Sequence, residues 1–252
     1  MLSESVKLHS LSETVSTNSY LRESITVDPL FKFEIATAVF QTAGRGQRGN
    51  KWESEAGKNL MFSILAYPGF IPINQQFILS EAVSLSIIHA LRRTMKSADS
   101  KELSVKWPND IYWKNKKLAG ILIENDIQGN YLCRSIIGIG LNVNQSTFKS
   151  DAPNPISLLN ITERITDLDD LLENIVELFL KYFSLLEQGN RDQIHAEYLN
   201  NLYRKDEYHR YKDLHGEFTA KINKVEHEGT LILKDTDNTL RRYSFKEVSF
   251  IL

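Results

Sequence analysis

The chain has 252 residues, of which 42% are hydrophobic and 25% charged, a composition typical of a globular protein with one large domain or a medium domain and a small appendix. Its net charge of −2 argues against a general nucleic-acid binder, which needs a basic excess. The single cysteine, Cys133, excludes an internal disulfide and a cysteine-based metal site. With no apparent secretory signal and no apolar run of transmembrane length, we expect a cytoplasmic protein without membrane contact.

Hydrophobic periodicity and turn residues predict an alternation of strands and helices that is typical of an α+β fold. Three of the later strands follow one another through short turns, which predicts an antiparallel meander rather than a parallel sheet. The predicted strands are 6–14, 34–41, 59–67, 103–113, 117–125 and 131–143. The predicted helices are a short one capped by Ser16-Thr17-Asn18, then 74–96 capped by Asn74, 166–188 with a Thr166/Asp169 capping box, and 191–203.

A polar, charged stretch around 204–213 is the best linker. Beyond it, short strands are predicted near 217–224, 230–234, 240–245 and 248–251. This pattern predicts a small β-barrel. We therefore expect a main domain of residues 1–204 and a small β domain of residues 205–252.

The segment 41–52 is the most informative part of the chain because it combines three glycines with two arginines and a tryptophan. Glycines let the backbone approach a ligand closely, and Arg45 and Arg48 offer planar donor groups for carboxylate and phosphate oxygens. Trp52 offers an apolar face for ring stacking. On these residues alone, a glycine-rich hairpin with solvated arginines explains the segment equally well.

Three motifs in this order resemble those of biotin protein ligases, also called biotin–[acetyl-CoA-carboxylase] ligases. They are Gln41-Thr-Ala-Gly-Arg-Gly-Gln-Arg-Gly, Lys106-Trp-Pro-Asn-Asp and Lys117-Leu-Ala-Gly-Ile-Leu. The resemblance covers essentially the whole chain. It implies a class II synthetase-like catalytic domain with a mixed, largely antiparallel central sheet, followed by an SH3-like C-terminal barrel.

The resemblance also implies a reaction. ATP, with Mg²⁺, converts the biotin carboxylate to biotinyl-5′-AMP, and a lysine of a biotin carboxyl carrier protein or a carboxylase biotinyl domain then receives the biotin. Arg45 and Lys117 are implied as the catalytic cations at the junction of carboxylate and α-phosphate. Read alone, Lys117 is an ordinary surface lysine.

The resemblance implies two further groups of contacts, while the metal ligands stay unassigned. The biotin contacts are Ser16, Thr17, Asn18, Gln41, Gly44, Arg45, Gly46, Gln47, Lys117 and Gly120. The ATP contacts are Arg45, Arg48, Trp52, Asn109, Lys117 and Asn142. Asp110 is a further candidate for a polar contact to nucleotide or metal. Helix capping is an equally complete explanation of Ser16, Thr17 and Asn18 when they are read without the resemblance.

One residue departs from the family pattern: Gln47 stands where several members carry another arginine. The loop thus has one cation fewer, and we expect looser retention of the acyl-adenylate.

Three other functions are weighed against biotin ligation. A lipoate or octanoate ligase shares the superfamily fold, and a non-catalytic biotin-binding module is disfavoured by the presence of both Arg45 and Lys117. A DNA-binding regulator needs a preceding helix-turn-helix, for which the early Ser16-Thr17-Asn18 leaves no room, so we expect no nucleic-acid binding. The sequence does not decide between a monomer and a homodimer.

Overall fold

The computed structural model describes residues 6–23, 31–46, 51–149 and 154–251. Its centre is a seven-stranded sheet in the order β1-β2-β3-β7-β6-β5-β4. The strands are β1 Val6–Thr14, β2 Phe33–Gln41, β3 Leu60–Ala66, β4 Leu103–Lys106, β5 Asp110–Trp113, β6 Lys116–Gln128 and β7 Tyr131–Leu141. Only the β1–β2 pair is parallel among these described strands. The expected mixed, largely antiparallel sheet is therefore confirmed.

Helices cover both faces of this sheet. They are α1 Thr17–Glu23, α2 Phe77–Thr94, α3 Ser97–Ser100, α4 Leu158–Thr162, α5 Leu168–Glu187 and α6 Arg191–Asn200. The helix α2 is buried along almost its whole length and packs against α5. Both helices form the main apolar core together with one face of the sheet. The short α1 lies on the opposite face, where Leu21 packs against Ala36, Leu65 and Ile136.

Two predicted helix caps are wrong. A 3₁₀ turn, Ile73–Gln75, precedes α2, so the helix begins at Phe77 and Asn74 is not its cap. At α5, the N-cap is Asp167, whose carboxylate accepts hydrogen bonds from the backbone N–H groups of Asp169 and Asp170 at 2.9 and 3.0 Å. Thr166 instead donates its backbone N–H to Asn144. Neighbouring polar residues compete for the same cap, and their local pattern does not decide between them.

The predicted strand 103–113 is in fact the antiparallel hairpin of β4 and β5. Pro108 has no N–H to donate to a ladder, which favours a break at this point. The neighbouring Trp107 is only 3% exposed and donates its indole N–H to the Gly229 carbonyl at 2.9 Å. The connection between the strands is therefore held from outside the central sheet.

The C-terminal part is a five-stranded antiparallel sheet in the order β11-β10-β9-β8-β12, open rather than closed. Its strands are β8 His209–Asp213, β9 Gly216–Val225, β10 Leu231–Asp235, β11 Leu240–Tyr243 and β12 Ser249–Phe250. Among the described strands, β11 and β12 are the two edges of this sheet and do not pair with each other, so the predicted small β domain is an open five-stranded sheet rather than a closed barrel. The strand β8 lies within the stretch 204–213 that the sequence predicts as a linker. The sequence pattern does not reveal it because only Tyr211 in it is buried, between charged and exposed neighbours.

The two sheets share one continuous apolar core, to which Tyr211, Val225 and Leu231 contribute from the C-terminal side. At the turn between β9 and β10, Gly229 lies against the Phe77 ring, where a Cβ would come within 2.8 Å of ring atoms. The division at residues 204 and 205 stays a prediction, because packing continues across it.

A buried ionisable group lies at the same contact. Glu81 of α2 is 0% exposed, and its carboxylate lies 2.8 Å from Nδ1 of His195 in α6. The imidazole of His227, from the β9–β10 turn, packs on His195 with ring centroids 4.3 Å apart. The hydrogen bond to Glu81 raises the pKa of His195, and burial raises the pKa of Glu81.

We predict that this pair makes the folded state less stable as the pH rises above about 6.5, the ordinary histidine pKa. The folded state keeps a proton on His195 in a range where the unfolded chain has lost it, so raising the pH favours unfolding. The variant Glu81→Gln should flatten this slope above about pH 6.5 in urea unfolding measurements.

The control is His209→Gln. Burial lowers the pKa of His209, so its effect has the opposite sign and lies below about pH 6.5. An unchanged slope in Glu81→Gln would contradict the role of this pair.

Candidate active site

A narrow cleft of about 60 Å³ lies between α1, strands β6 and β7, and the glycine loop, by which we mean the described residues 41–46 with Trp52. Most of the predicted contacts within the described residues converge there. The predicted residues that line it are Ser16, Thr17, Asn18, Gln41, Arg45, Gly46, Trp52, Asn109, Lys117 and Gly120. The other lining residues are Ile121, Leu122, Gly138, Ile139 and Gly140.

The floor of the cleft is bare backbone. Gly120 of β6 and Gly140 of β7 are directly paired across the two strands. Gly138 lies on β7, two residues before Gly140. A Cβ at Gly140 would lie 2.7 Å from Nε1 of Trp52, and one at Gly120 would lie 3.0 Å from the same indole. The glycines therefore let an aromatic ring pack directly on the strands.

Trp52 occupies this space with its indole, which explains the small volume. Its backbone N–H donates to the Gly44 carbonyl at 3.0 Å, and Arg45 and Lys51 form an isolated antiparallel bridge. The indole Nε1 is buried without a hydrogen-bond partner. A buried donor of this kind is costly unless a ligand or water satisfies it.

A chain of polar side chains runs along one wall. The Gln41 Oε1 accepts from the Thr17 backbone N–H at 2.7 Å, and Thr17 Oγ1 lies 2.6 Å from Ser63 Oγ. The Ser63 hydroxyl donates to Asn18 Oδ1 at 2.6 Å, and Asn18 Nδ2 donates to Glu124 Oε2 at 2.8 Å. Thr17, Asn18 and Ser63 are all almost fully buried, so these hydrogen bonds are shielded from water and fix the wall.

Ser16 also caps α1, since its Oγ accepts from the Ser19 backbone N–H at 3.1 Å. The predicted capping is thus confirmed, and the same turn lines the cleft. A helix start can serve both purposes because its first N–H groups have no partner within the helix.

Two cations lie at the cleft, each beside a carboxylate. Lys117 Nζ is 2.7 Å from Asp110 Oδ1 and 5.6 Å from the centroid of the Trp52 ring. An Arg45 guanidinium nitrogen lies 3.5 Å from Glu124 Oε2. The side chains of Arg45 and Lys117 are 45% and 32% exposed, so both cations remain accessible to an anionic ligand.

Asn109 reaches the cleft because the β4–β5 connection is tied to β6. Its Nδ2 donates to the Ile121 carbonyl at 2.6 Å, and its own carbonyl accepts from the Ile121 N–H at 3.0 Å. The Asn109 side-chain amide thereby positions the β4–β5 connection, and Asn109 also forms part of the cleft lining.

Two other predicted residues that the structure describes, Asn142 and Gly44, are not in the lining. Asn142 is 3% exposed, and its Nδ2 donates to the Ile156 carbonyl at 3.1 Å while its Oδ1 has no partner. Gly44 lies next to the lining, where a Cβ would come 2.9 Å from the Trp52 carbonyl oxygen. Gln47 and Arg48 lie outside the described residues.

Sequence reasoning missed Ser63 and Glu124. Side chains alternate along a strand, so Gly120, Leu122 and Glu124 of β6 share one face. Ser63 pairs with Gly138 across β3 and β7. The alternation in Lys117–Glu124 could have identified Glu124, whereas Ser63 required the strand pairing.

Cys133 is half-buried, and its thiol contacts the Asp126 carbonyl at 3.4 Å, away from the cleft. Within the described ranges, no three His, Cys, Asp or Glu side chains are gathered as a metal-binding group. No helix in those ranges is both long and apolar enough to span a membrane.

The fold is that of biotin protein ligases. The structure of the Aquifex aeolicus biotin protein ligase in complex with biotin and ATP superimposes with a TM-score of 0.76 at 23% identity. The match covers 96% of this chain and 97% of that one.

Residues 11–142, just over half of the chain, match the biotin/lipoate A/B protein ligase family. The chain therefore belongs to this family. It is 35% identical to the bifunctional ligase/repressor BirA of Escherichia coli (strain K12) over 128 residues, 51% of this chain and 38% of the relative. It is 30% identical to the biotin–[acetyl-CoA-carboxylase] ligase of Mycobacterium tuberculosis over 155 residues, 62% of this chain and 56% of that protein. The chain thus spans less than two thirds of the length of these curated relatives.

We predict that Gly140→Ala destabilises the protein by about 1–3 kcal/mol, because its methyl group would overlap the Trp52 indole. Gly69→Ala is the matched control, since a Cβ there meets nothing within 4 Å. Both are measured by urea unfolding. If the indole is the obstacle, Gly140→Ala costs much less in a Trp52→Ala background, and equal costs in the two backgrounds would contradict the packing described.

Proposed function

We propose that this protein activates biotin with ATP and transfers it to a lysine of a carrier protein. The observation that carries the proposal is the convergence of Arg45, Lys117 and Trp52 on one glycine-floored cleft. The printed names of its relatives support the same reaction, since one is a biotin–[acetyl-CoA-carboxylase] ligase and another structure holds biotin and ATP.

In the first step, an oxygen of the biotin carboxylate attacks the α-phosphorus of ATP, and the bond to pyrophosphate breaks. Two anions must come together, so fixed cations favour the transition state. Arg45 and Lys117 are the cations placed to do this. In the second step, the lysine amine attacks the acyl carbon, and AMP leaves.

The polar wall is suited to the ureido ring of biotin, which offers two N–H donors and one carbonyl acceptor. Its members are of both kinds, and their burial excludes water that would compete for the same bonds. We assign biotin contact to Ser16, Thr17, Asn18, Gln41, Gly44, Arg45, Gly46, Gln47, Lys117 and Gly120.

For ATP, we assign contacts to Arg45, Arg48, Trp52, Asn109, Lys117 and Asn142. The unpartnered Trp52 Nε1 and Asn142 Oδ1 support this assignment, because each is a buried polar atom that a ligand could satisfy.

Magnesium belongs to the same proposal as the partner of the triphosphate. Mg²⁺ usually keeps several waters and takes substrate phosphates with one or two carboxylates. This suits the described residues, which gather no dedicated metal-binding group. Asp110, which is paired with the cleft cation Lys117, is the carboxylate that would hold the ion, and the bound ion would neutralise phosphate charge.

The proposed acceptor is a biotin carboxyl carrier protein or the biotinyl domain of a carboxylase, in a cytoplasmic setting and without nucleic acid. A homodimer is left open within this proposal. Lipoate or octanoate ligation is the second candidate, because the family includes lipoate ligases.

The deciding experiment is pyrophosphate release from ATP and magnesium with biotin, lipoate or octanoate, and no acceptor. We expect release with biotin alone. Release with lipoate or octanoate instead would replace the substrate, and no release with any acid would favour a binding module.

We predict that Arg45→Ala and Lys117→Ala each lower the rate of biotin-dependent pyrophosphate release by at least about a hundredfold, because each removes a fixed charge at the reacting anions. Lys116→Ala is the control, since Lys116 is exposed and lies outside the cleft lining. Thermal unfolding checks that all three variants are folded. Rates near that of the wild type in either cleft variant would refute the assigned role.

A further inference from the structure

Glu124 joins two parts of the cleft that have different tasks in the proposed function. One oxygen, Oε2, accepts the Asn18 amide at 2.8 Å and lies 3.5 Å from the Arg45 guanidinium. Asn18 belongs to the polar wall, whereas Arg45 lies at the end where the anions react. A single carboxylate oxygen thus contacts both.

The two contacts differ in strength. The Arg45 side chain is 45% exposed, and the contact is long, so this pair is a weak surface ion pair. Asn18 is 4% exposed and rests on Gly138, where a Cβ would lie 3.0 Å from Asn18 Cγ. A short bond from a buried amide to a carboxylate is the stronger contact.

The carboxylate also gives the wall a direction. An ionised carboxylate only accepts hydrogen bonds, so Asn18 must present its NH₂ group to Glu124 and its carbonyl to Ser63. The Ser63 hydroxyl then donates its one proton to Asn18. Thr17 Oγ1 therefore donates to Ser63 Oγ at 2.6 Å rather than to Gln41 Oε1, which lies 3.2 Å away. The order of donors and acceptors along the wall therefore starts from Glu124.

We infer that Glu124 is a positioning residue for biotin: through Asn18 it fixes the donor and acceptor pattern that the ureido ring meets. This deepens the proposed function and rests on it. A ring with two donors and one acceptor binds well only if the facing groups keep one orientation. A neutral amide at 124 donates as well as accepts, which allows the Asn18 amide to turn over.

A simple charge effect of Glu124 predicts the opposite change in biotin affinity. If Glu124 only competed with the ligand for Arg45, removing its charge would free the guanidinium and tighten the binding of biotin. If it acts through Asn18, removing the carboxylate weakens binding, and the loss does not depend on the charge of the ligand.

The test measures binding by calorimetry for biotin and for biotin methyl ester, which keeps the ureido ring and lacks the carboxylate. We expect Glu124→Gln to weaken both ligands about tenfold, the effect of one buried hydrogen bond, and to leave the KM for ATP nearly unchanged. Glu124→Asp keeps the charge but is one methylene shorter, so we expect a similar loss for both ligands.

Asp126→Asn is the control on the same strand, since Asp126 pairs with Arg134 and Arg22 and is outside the lining. Thermal unfolding checks each variant, and Glu124→Asp carries the test if Glu124→Gln does not fold.

Tighter or unchanged binding of biotin to either folded variant would overturn the role of Glu124 alone. A loss confined to biotin, with the methyl ester unaffected, would also overturn it in favour of a charge effect. Wild-type protein that binds no biotin would refute the proposed function and this inference with it.

Discussion

The contact between side chains and bare backbone on β6 and β7 is the constraint on which the cleft depends. Gly120, Gly138 and Gly140 remove every Cβ from a patch of the central sheet, and Trp52 and Asn18 lie directly on it. Interiors are close-packed, so one added methyl group there has to displace a ring or an amide. The glycines thus place the tryptophan of the loop and the amide of α1 at fixed depth, next to each other.

The same cleft is held from the far side by the C-terminal sheet. The Gly229 carbonyl accepts from the Trp107 indole, and Trp107 is two residues before Asn109, which is tied in turn to Ile121 of β6. Two elements that are distant from it in sequence, the β9–β10 turn and strand β6, therefore hold the β4–β5 connection. This is a reason to treat the C-terminal sheet as part of the site's support rather than as an independent appendix.

The sequence predicted much of this arrangement because the strongest signals are local. Alternation and helical periodicity identified most strands and the long helices, and the motifs identified the loop, Lys117 and Asn109. Helix caps failed where adjacent polar residues compete, as at Thr166 and Asp167. The strand β8 failed because one buried Tyr211 among charges does not form a hydrophobic pattern. Barrel closure depends on pairing between chain-distant edges, and Ser63 and Glu124 gain their significance only from neighbours on other strands.

The charges of the cleft are arranged as two pairs of opposite sign, Arg45 with Glu124 and Lys117 with Asp110. Such pairs hold the cations in place, and an incoming anion has to compete with the carboxylate partner of each cation. Because both pairs are partly exposed, each is weak, and a carboxylate or phosphate that reaches both cations has the advantage. When an anion replaces the carboxylates at the cations, the carboxylates keep their other structural roles. Glu124 still accepts the hydrogen bond from Asn18, and Asp110 still ends the β4–β5 connection. A ligand that replaces them at the cations therefore enters a cleft whose walls are already in position, and this agrees with catalysis by preorganised charge rather than by charge assembled during the reaction.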